Sequence, residues 1–236
     1  MTNYVFCTLA LGQKYFDSAC KFAEDLNKIS EGHSVLIVTD CKYDEVKNTT
    51  FIKFDESEVK YINNQFNYNL KYIPIQISSK MKNEVIIFFD ADWEINEGYT
   101  EEKLNHFITT FMKSNLDLIY ERPHKIGDGK KNISDCFWRH KIEPYGLLKT
   151  NKYDEGHVVN EQFLIFKNND KLNRFIDEWK KRNLFGINNN IWAFAEGLEI
   201  GMSAIDANMV MDYRKMFELR NFFKFVANSG VTHIRF

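Results

Sequence analysis

The stretch Glu84–Ile95, EVIIFFDADWEI, constrains this chain more than any other. Five residues, Val85 to Phe89, are apolar without a break. That is how a strand buried on both faces of a mostly parallel sheet reads. The run stops at Asp90-Ala91-Asp92. Two carboxylates one residue apart, just past a buried strand, are poorly placed for packing. In an open α/β sheet the crevice beyond the carboxyl ends of the strands is where ligands bind. Carboxylate oxygens suit Mg²⁺ and Mn²⁺, which in turn hold phosphates. The residues point to a metal-bridged diphosphate site. The plainer alternative is that Asp ends a strand simply as a turn former.

The rest of the chain fits around this strand. Tyr4 to Leu11 is an apolar run ended by Gly12, and Ser34 to Thr39 is a second buried strand ending at Asp40. Between them Tyr15, Phe16, Ala19, Phe22, Ala23 and Leu26 recur at helical spacing. Thr50 to Phe54 is a shorter third strand. This opening predicts a parallel sheet with right-handed crossovers. Spacing over 57–82 predicts helix, kinked or divided at Pro74. Thr100 to Lys113 reads as a helix capped by Thr100, followed by a short strand at Leu116–Tyr120. Val158 to Phe166 is strand-like. Helical spacing returns at Lys171–Arg182 and Ile191–Ala204, and the apolar Phe217–Val226 and the strand-like VTHIRF close the chain.

Residues 121–157 hold turn formers, little periodicity and an excess of Lys and Arg. A connection of that length reads as a binding loop, a lid or a solvated loop. Phe137, Trp138 and Tyr145 favour function, because a wholly disordered segment is poor in aromatics.

The 236 residues suit one domain. A net charge of −2 gives no global attraction to nucleic acid or anionic membrane. The four cysteines form no CxxC, which argues against zinc and for reduced thiols in a cytoplasmic protein. Nothing at the N-terminus resembles a signal peptide, and no apolar run matches the length of a transmembrane segment.

The order of elements, with a mid-chain strand ending in FFDADWEI, resembles the GT-A glycosyltransferases, among them the blood-group and glycogenin-like transferases. The opening TLALGQKYFDSA resembles their first strand and the helix after it. The resemblance implies a GT-A fold, a Rossmann-like mixed, mostly parallel sheet flanked by helices, with residues 1–95 as the nucleotide-sugar-binding half and 96–236 as the acceptor-binding half. It implies a Mn²⁺ or Mg²⁺ ion and a nucleotide-sugar donor, with UDP as the expected nucleotide. It places the metal on Asp90 and Asp92, with His233 as a further candidate, although the Gly and Lys that usually accompany that His are missing. Thr8, Leu9, Ala10, Tyr15, Asp40, Asn69, Lys71 and Asp90 become the candidates for lining the nucleotide and sugar.

Breaking a sugar–diphosphate bond leaves charge on phosphate, which a divalent ion stabilises without proton transfer to the leaving group. The acceptor side needs another group: a carboxylate or His to take a proton, or a group below the sugar to stabilise positive character. Glu161, next to Asn160, is one candidate. Glu196 and Glu199 are the others, three apart and so on one helix face. Gly197 and Gly201 beside them suggest close approach to substrate; Asp206 is a further option.

Other classes fit less well. A nucleotidyltransferase should show a Gly-rich, Arg-bearing loop after the first strand. A haloacid-dehalogenase-like phosphatase carries its DxD near the N-terminus, followed by Thr or Val. No GxxxxGK[ST] is present. The alternative from another class is a degenerate transferase fold acting as a binding module. The acceptor stays open among a glycan, a lipid-linked sugar, a protein and a modified base in DNA. The last is suggested by the basic, aromatic segment Lys125–Lys152.

Overall fold

The computed structural model describes residues 3–29, 32–55, 68–132, 134, 139, 142–189, 191, 196–219 and 222–225. Four strands lead the architecture: β1 (Tyr4–Ala10), β2 (Ser34–Thr39), β3 (Thr49–Lys53) and β4 (Val85–Phe89). Between them lie α1 (Gln13–Ile29), a 3₁₀ turn (Tyr68–Lys71) and α2 (Tyr72–Ser79). Next come β5 (Trp93–Ile95), α3 (Glu101–Lys113), β6 (Leu118–Lys125) and α4 (Ile126–Lys131). The chain then runs through β7 (His157–Lys167), α5 (Asp170–Asn188), α6 (Glu196–Asp206), β8 (Met211–Asp212), α7 (Met216–Leu219) and β9 (Phe223–Phe225).

Among the described residues seven strands form one sheet in the order β3-β2-β1-β4-β7-β6-β8. The pairs β3–β2, β2–β1, β1–β4 and β6–β8 are parallel, while β4–β7 and β7–β6 are antiparallel. The protein is therefore a mixed α/β fold with a mostly parallel sheet flanked by helices. Residues Val85 to Phe89 are all fully buried, as their unbroken apolar run predicts for a central strand.

Alternate residues of the strands feed two cores. On one face Phe6, Ile87 and Phe89 pack with α1, α3 and the C-terminal Phe223. On the other Val5, Cys7, Ile86 and Phe88 pack with α2, α5 and part of α6. The many aromatics concentrate on the first face, where Phe22 stacks on Phe89 at 4.1 Å between ring centroids.

Thr100 caps α3, its side chain accepting from Lys103 N–H. Of the helix expected over 57–82, residues 57–67 lie outside the described residues, and Pro74 falls inside α2 without ending it. It is the third residue of the helix, where its missing N–H has no intrahelical carbonyl to lose. The segment 121–157 is not one long loop: β6 runs to Lys125, α4 follows it, and a 3₁₀ turn spans Leu147–Lys149. Antiparallel pairing with β7 supplies what the local pattern lacked. Among the described residues no helix is long and apolar enough to cross a membrane.

Candidate functional site

The connections locate the crevice. From β1 the chain crosses through α1 on one face to β2; from β3 it returns through α2 on the opposite face to β4, on the other side of β1. The strand order thus reverses between β1 and β4, and a ligand crevice forms outside the carboxyl ends of such a pair. Gly12, just past β1, has φ +81°, a conformation that favours glycine. Its N–H donates to Asp40 Oδ1 at 2.8 Å, tying the ends of β1 and β2 together.

Asp90-Ala91-Asp92 is a tight turn at the end of β4. Asp90 N–H donates to the carbonyl of Gln162 on β7 (2.8 Å), and Trp93 N–H donates back to the Asp90 carbonyl (3.2 Å). Ala91 is buried beneath the turn. The two carboxylates have different neighbours. Asp90 reaches Lys71, ahead of α2, while Asp92 lines a small cavity against α1 with Ser18, Lys21, Phe22 and Asp25.

Lys71 joins elements that are distant in sequence. Its Nζ lies 3.0 Å from Asp90 Oδ1, 3.1 Å from Asp90 Oδ2, 3.5 Å from Glu196 Oε2 and 3.9 Å from Glu161 Oε1. Glu161 sits where β7 leaves regular register: Tyr120 pairs with Leu164, yet Glu121 pairs with Asn160. Such bulges re-aim side chains beside functional sites. Glu196 opens α6, and its side chain is 4% exposed against 30% for Glu161.

Burial works to lower the Lys71 pKa, but the carboxylates of Asp90, Glu196 and Glu161 outweigh it and hold the ammonium charged. Burial pushes the Asp90 carboxyl up to about 7; Lys71 opposes this, while Asp92 and Glu161 add to it. Burial raises Glu196 well above the ordinary range, with Lys71 opposing and Glu161 and Asp90 adding.

Glu199 does not share Glu196's surroundings. It is fully buried and accepts a hydrogen bond from Tyr145 Oη. Burial pushes it up to about 7, against the lowering effects of Tyr145 and Arg182. Gly197 and Gly201 admit backbone rather than substrate: a Cβ at either would lie 2.0 Å from the Val159 carbonyl oxygen or 1.8 Å from that of His157. Asp206 is held by Arg182, Lys152 and Tyr153, away from the Lys71 cluster.

Of the other candidates, Thr8 and Ala10 are fully buried, while Leu9 and Tyr15 are partly buried against opposite cores. Asp40 is exposed at the end of β2. Asn69 belongs to the 3₁₀ turn, but its side chain lies outside the described residues, as does His233. The last described residue, Phe225, pairs with Trp93, next to Asp92. Sequence reasoning passed over Glu121, a carboxylate 7% exposed opposite Asn160. Its only local signal was a charge directly after an apolar strand.

Among the described residues no group of three His, Cys, Asp or Glu side chains is arranged to hold a metal ion. Asp90 and Asp92 lie within electrostatic reach of each other, since Asp92 raises the Asp90 pKa. A pair of carboxylates fits an ion that takes its remaining ligands from water and substrate phosphates, the usual habit of Mg²⁺, rather than an all-protein cage. No model of a known protein family matches the chain, and none of the curated proteins compared with it matches.

Proposed function

We propose that this protein is a metal-dependent GT-A-type glycosyltransferase, moving a sugar from a nucleoside-diphosphate donor, with UDP the first choice, to a hydroxyl acceptor. The observation that carries the reading is the convergence of Lys71, Asp90, Glu161 and Glu196 from four elements on one crevice at the strand-order reversal. Structural packing alone gives no reason to gather three carboxylates around one lysine there. The free thiols of Cys7, Cys20 and Cys41 accord with a cytoplasmic setting.

Asp90 and Asp92 would hold Mn²⁺ or Mg²⁺ together with the donor diphosphate. The bound ion would stabilise the charge left on phosphate. The chain's own groups then divide the remaining work. Lys71 presents its positive charge to the donor. Glu161, the most exposed carboxylate of the cluster, is the one an acceptor hydroxyl can reach. It takes the hydroxyl proton as the acceptor oxygen bonds to the anomeric carbon; the bond from that carbon to the diphosphate breaks and its electron pair leaves with the phosphate. Glu196, deeper in the crevice, faces the sugar.

The test is nucleotide release from a panel of UDP-, GDP-, CMP- and TDP-sugars, with Mn²⁺ and with EDTA. Metal-dependent release from one donor supports the reading. No release, and no thermal shift with any donor plus metal, supports the second reading, a binding module on a degenerate transferase fold. One observation favours that alternative: both oxygens of Asp90 already contact Lys71.

A further inference from the structure

Among the described residues the charge balance at Lys71 is uneven. One ammonium faces three carboxylates, at 3.0 Å (Asp90), 3.5 Å (Glu196) and 3.9 Å (Glu161). The lysine side chain is only 13% exposed and that of Glu196 4%, so water screens the imbalance poorly. A second observation is independent of the count: Glu196 Oε1 is buried and has no hydrogen-bond partner among the described residues. Its other oxygen stands at 3.5 Å from the ammonium, the outer limit of hydrogen bonding. The lysine is therefore fully engaged with Asp90 and incompletely engaged with a carboxylate beside it.

We propose that Lys71 is a tethered counter-ion, displaced from Asp90 by the divalent cation and received by Glu196 and Glu161. This rests on the reading of Asp90 as a metal ligand. The physical case is short. A cation reaching Asp90 must replace an ammonium that touches both of its oxygens. That ammonium would otherwise repel it at close range. Glu196 lies close enough to take the ammonium through side-chain rotation alone, and doing so gives its buried carboxylate a closer partner. Metal binding alone is then weak, because Lys71 competes. Donor phosphates add negative charge and draw metal and lysine in together, so metal and donor bind cooperatively.

The test is Mn²⁺ affinity without nucleotide, read from the electron paramagnetic resonance signal of free Mn²⁺. Lys71→Met should bind Mn²⁺ at least about ten-fold more tightly than wild type, as loss of a neighbouring positive charge demands. Glu196→Gln should weaken Mn²⁺ binding, because Lys71 then stays on Asp90. In the Lys71→Met background the same Glu196→Gln change should weaken binding clearly less, whereas simple loss of a negative charge would weaken it equally in both backgrounds. Unchanged or weaker binding by a folded Lys71→Met overturns the proposal, as does an equal effect of Glu196→Gln in the two backgrounds. If Lys71→Met does not fold by circular dichroism, Glu196→Gln alone decides, and unchanged or tighter binding overturns it. The two readings fail separately. The expected Mn²⁺ pattern with no nucleotide release from any sugar donor removes the transferase and keeps the counter-ion; metal-dependent release without the pattern does the reverse.

Discussion

A Cβ on Gly197 would lie 2.0 Å from the carbonyl oxygen of Val159, so α6 rests directly on the backbone of β7. Gly201 repeats the contact one turn later, against His157. This seat determines where Glu196, the neighbour of Gly197, points. Backbone at that distance cannot yield as a flexible side chain can. Gly197→Ala should therefore shift the helix and destabilise the fold by about 1–3 kcal/mol, the usual cost of overpacking. It should also move Glu196 off the Lys71 cluster. The urea midpoint measures the first effect and donor release the second; an unchanged midpoint would refute the close seat.

Asp92 shares the turn with Asp90 but lines the small cavity against α1. Asp92→Asn should lower metal-dependent donor release by about 100-fold or more, the scale of losing one group that stabilises transition-state charge. The thermal midpoint should hold, since shape and volume are nearly preserved. Wild-type release from this variant would remove Asp92 from the metal site.

Glu161 and Glu196 differ in access, and the difference predicts different kinetics. Glu161→Gln should lower kcat by about 10²–10⁴-fold with KM for the donor little changed, as expected when a proton acceptor is lost. Steady-state kinetics on the donor that shows release would check this. A rise in donor KM alone would make Glu161 a binding group.

Glu199 carries a pH signature. Its carboxyl is pushed up to about 7, chiefly by burial. Between about pH 4.5 and 7 the folded protein keeps a proton that the unfolded chain releases. The Glu199 contribution is thus fully present at low pH and is lost as pH rises through 7. Glu199→Gln keeps a neutral group there. Relative to wild type it should gain stability between pH 5 and pH 8, by up to roughly 3 kcal/mol. Denaturant titrations at the two pH values read the difference directly.

His33 works in the opposite direction. The ring is buried between Tyr4 Oη, 2.9 Å from Nδ1, and Tyr99 Oη, 2.5 Å from Nε2. Burial lowers its pKa, opposed only by Glu101. The folded state holds the ring neutral, while the unfolded chain takes up a proton near pH 6.5. Stability from this site is present above that pH and is lost as pH falls below it. His33→Phe should cost about 1–3 kcal/mol at pH 8 through the unpaired tyrosine hydroxyls, and the deficit should narrow toward pH 5. A deficit that is the same at both pH values would show that His33 does not titrate with folding.

The parts whose causes are local are legible along the chain. The unbroken run Val85–Phe89 needs no partner to declare a strand buried on both faces, and Asp90-Ala91-Asp92 marks its end. The α1 periodicity from Phe16 to Leu26 and the Thr100 cap are equally local, because neighbours a turn apart create them. The rest depends on packing between distant elements. Lys71, Glu161 and Glu196 carry no shared spacing; only the crossover through α2, the register break in β7 and the glycine seat of α6 bring them together. Glu196 and Glu199 read alike along a helix. They part company in the fold because Glu196, in the first turn of α6, meets Lys71, while Glu199 meets Tyr145 and Arg182. Periodicity records which face is apolar; which partner a buried charge meets is set by packing between elements far apart in the chain.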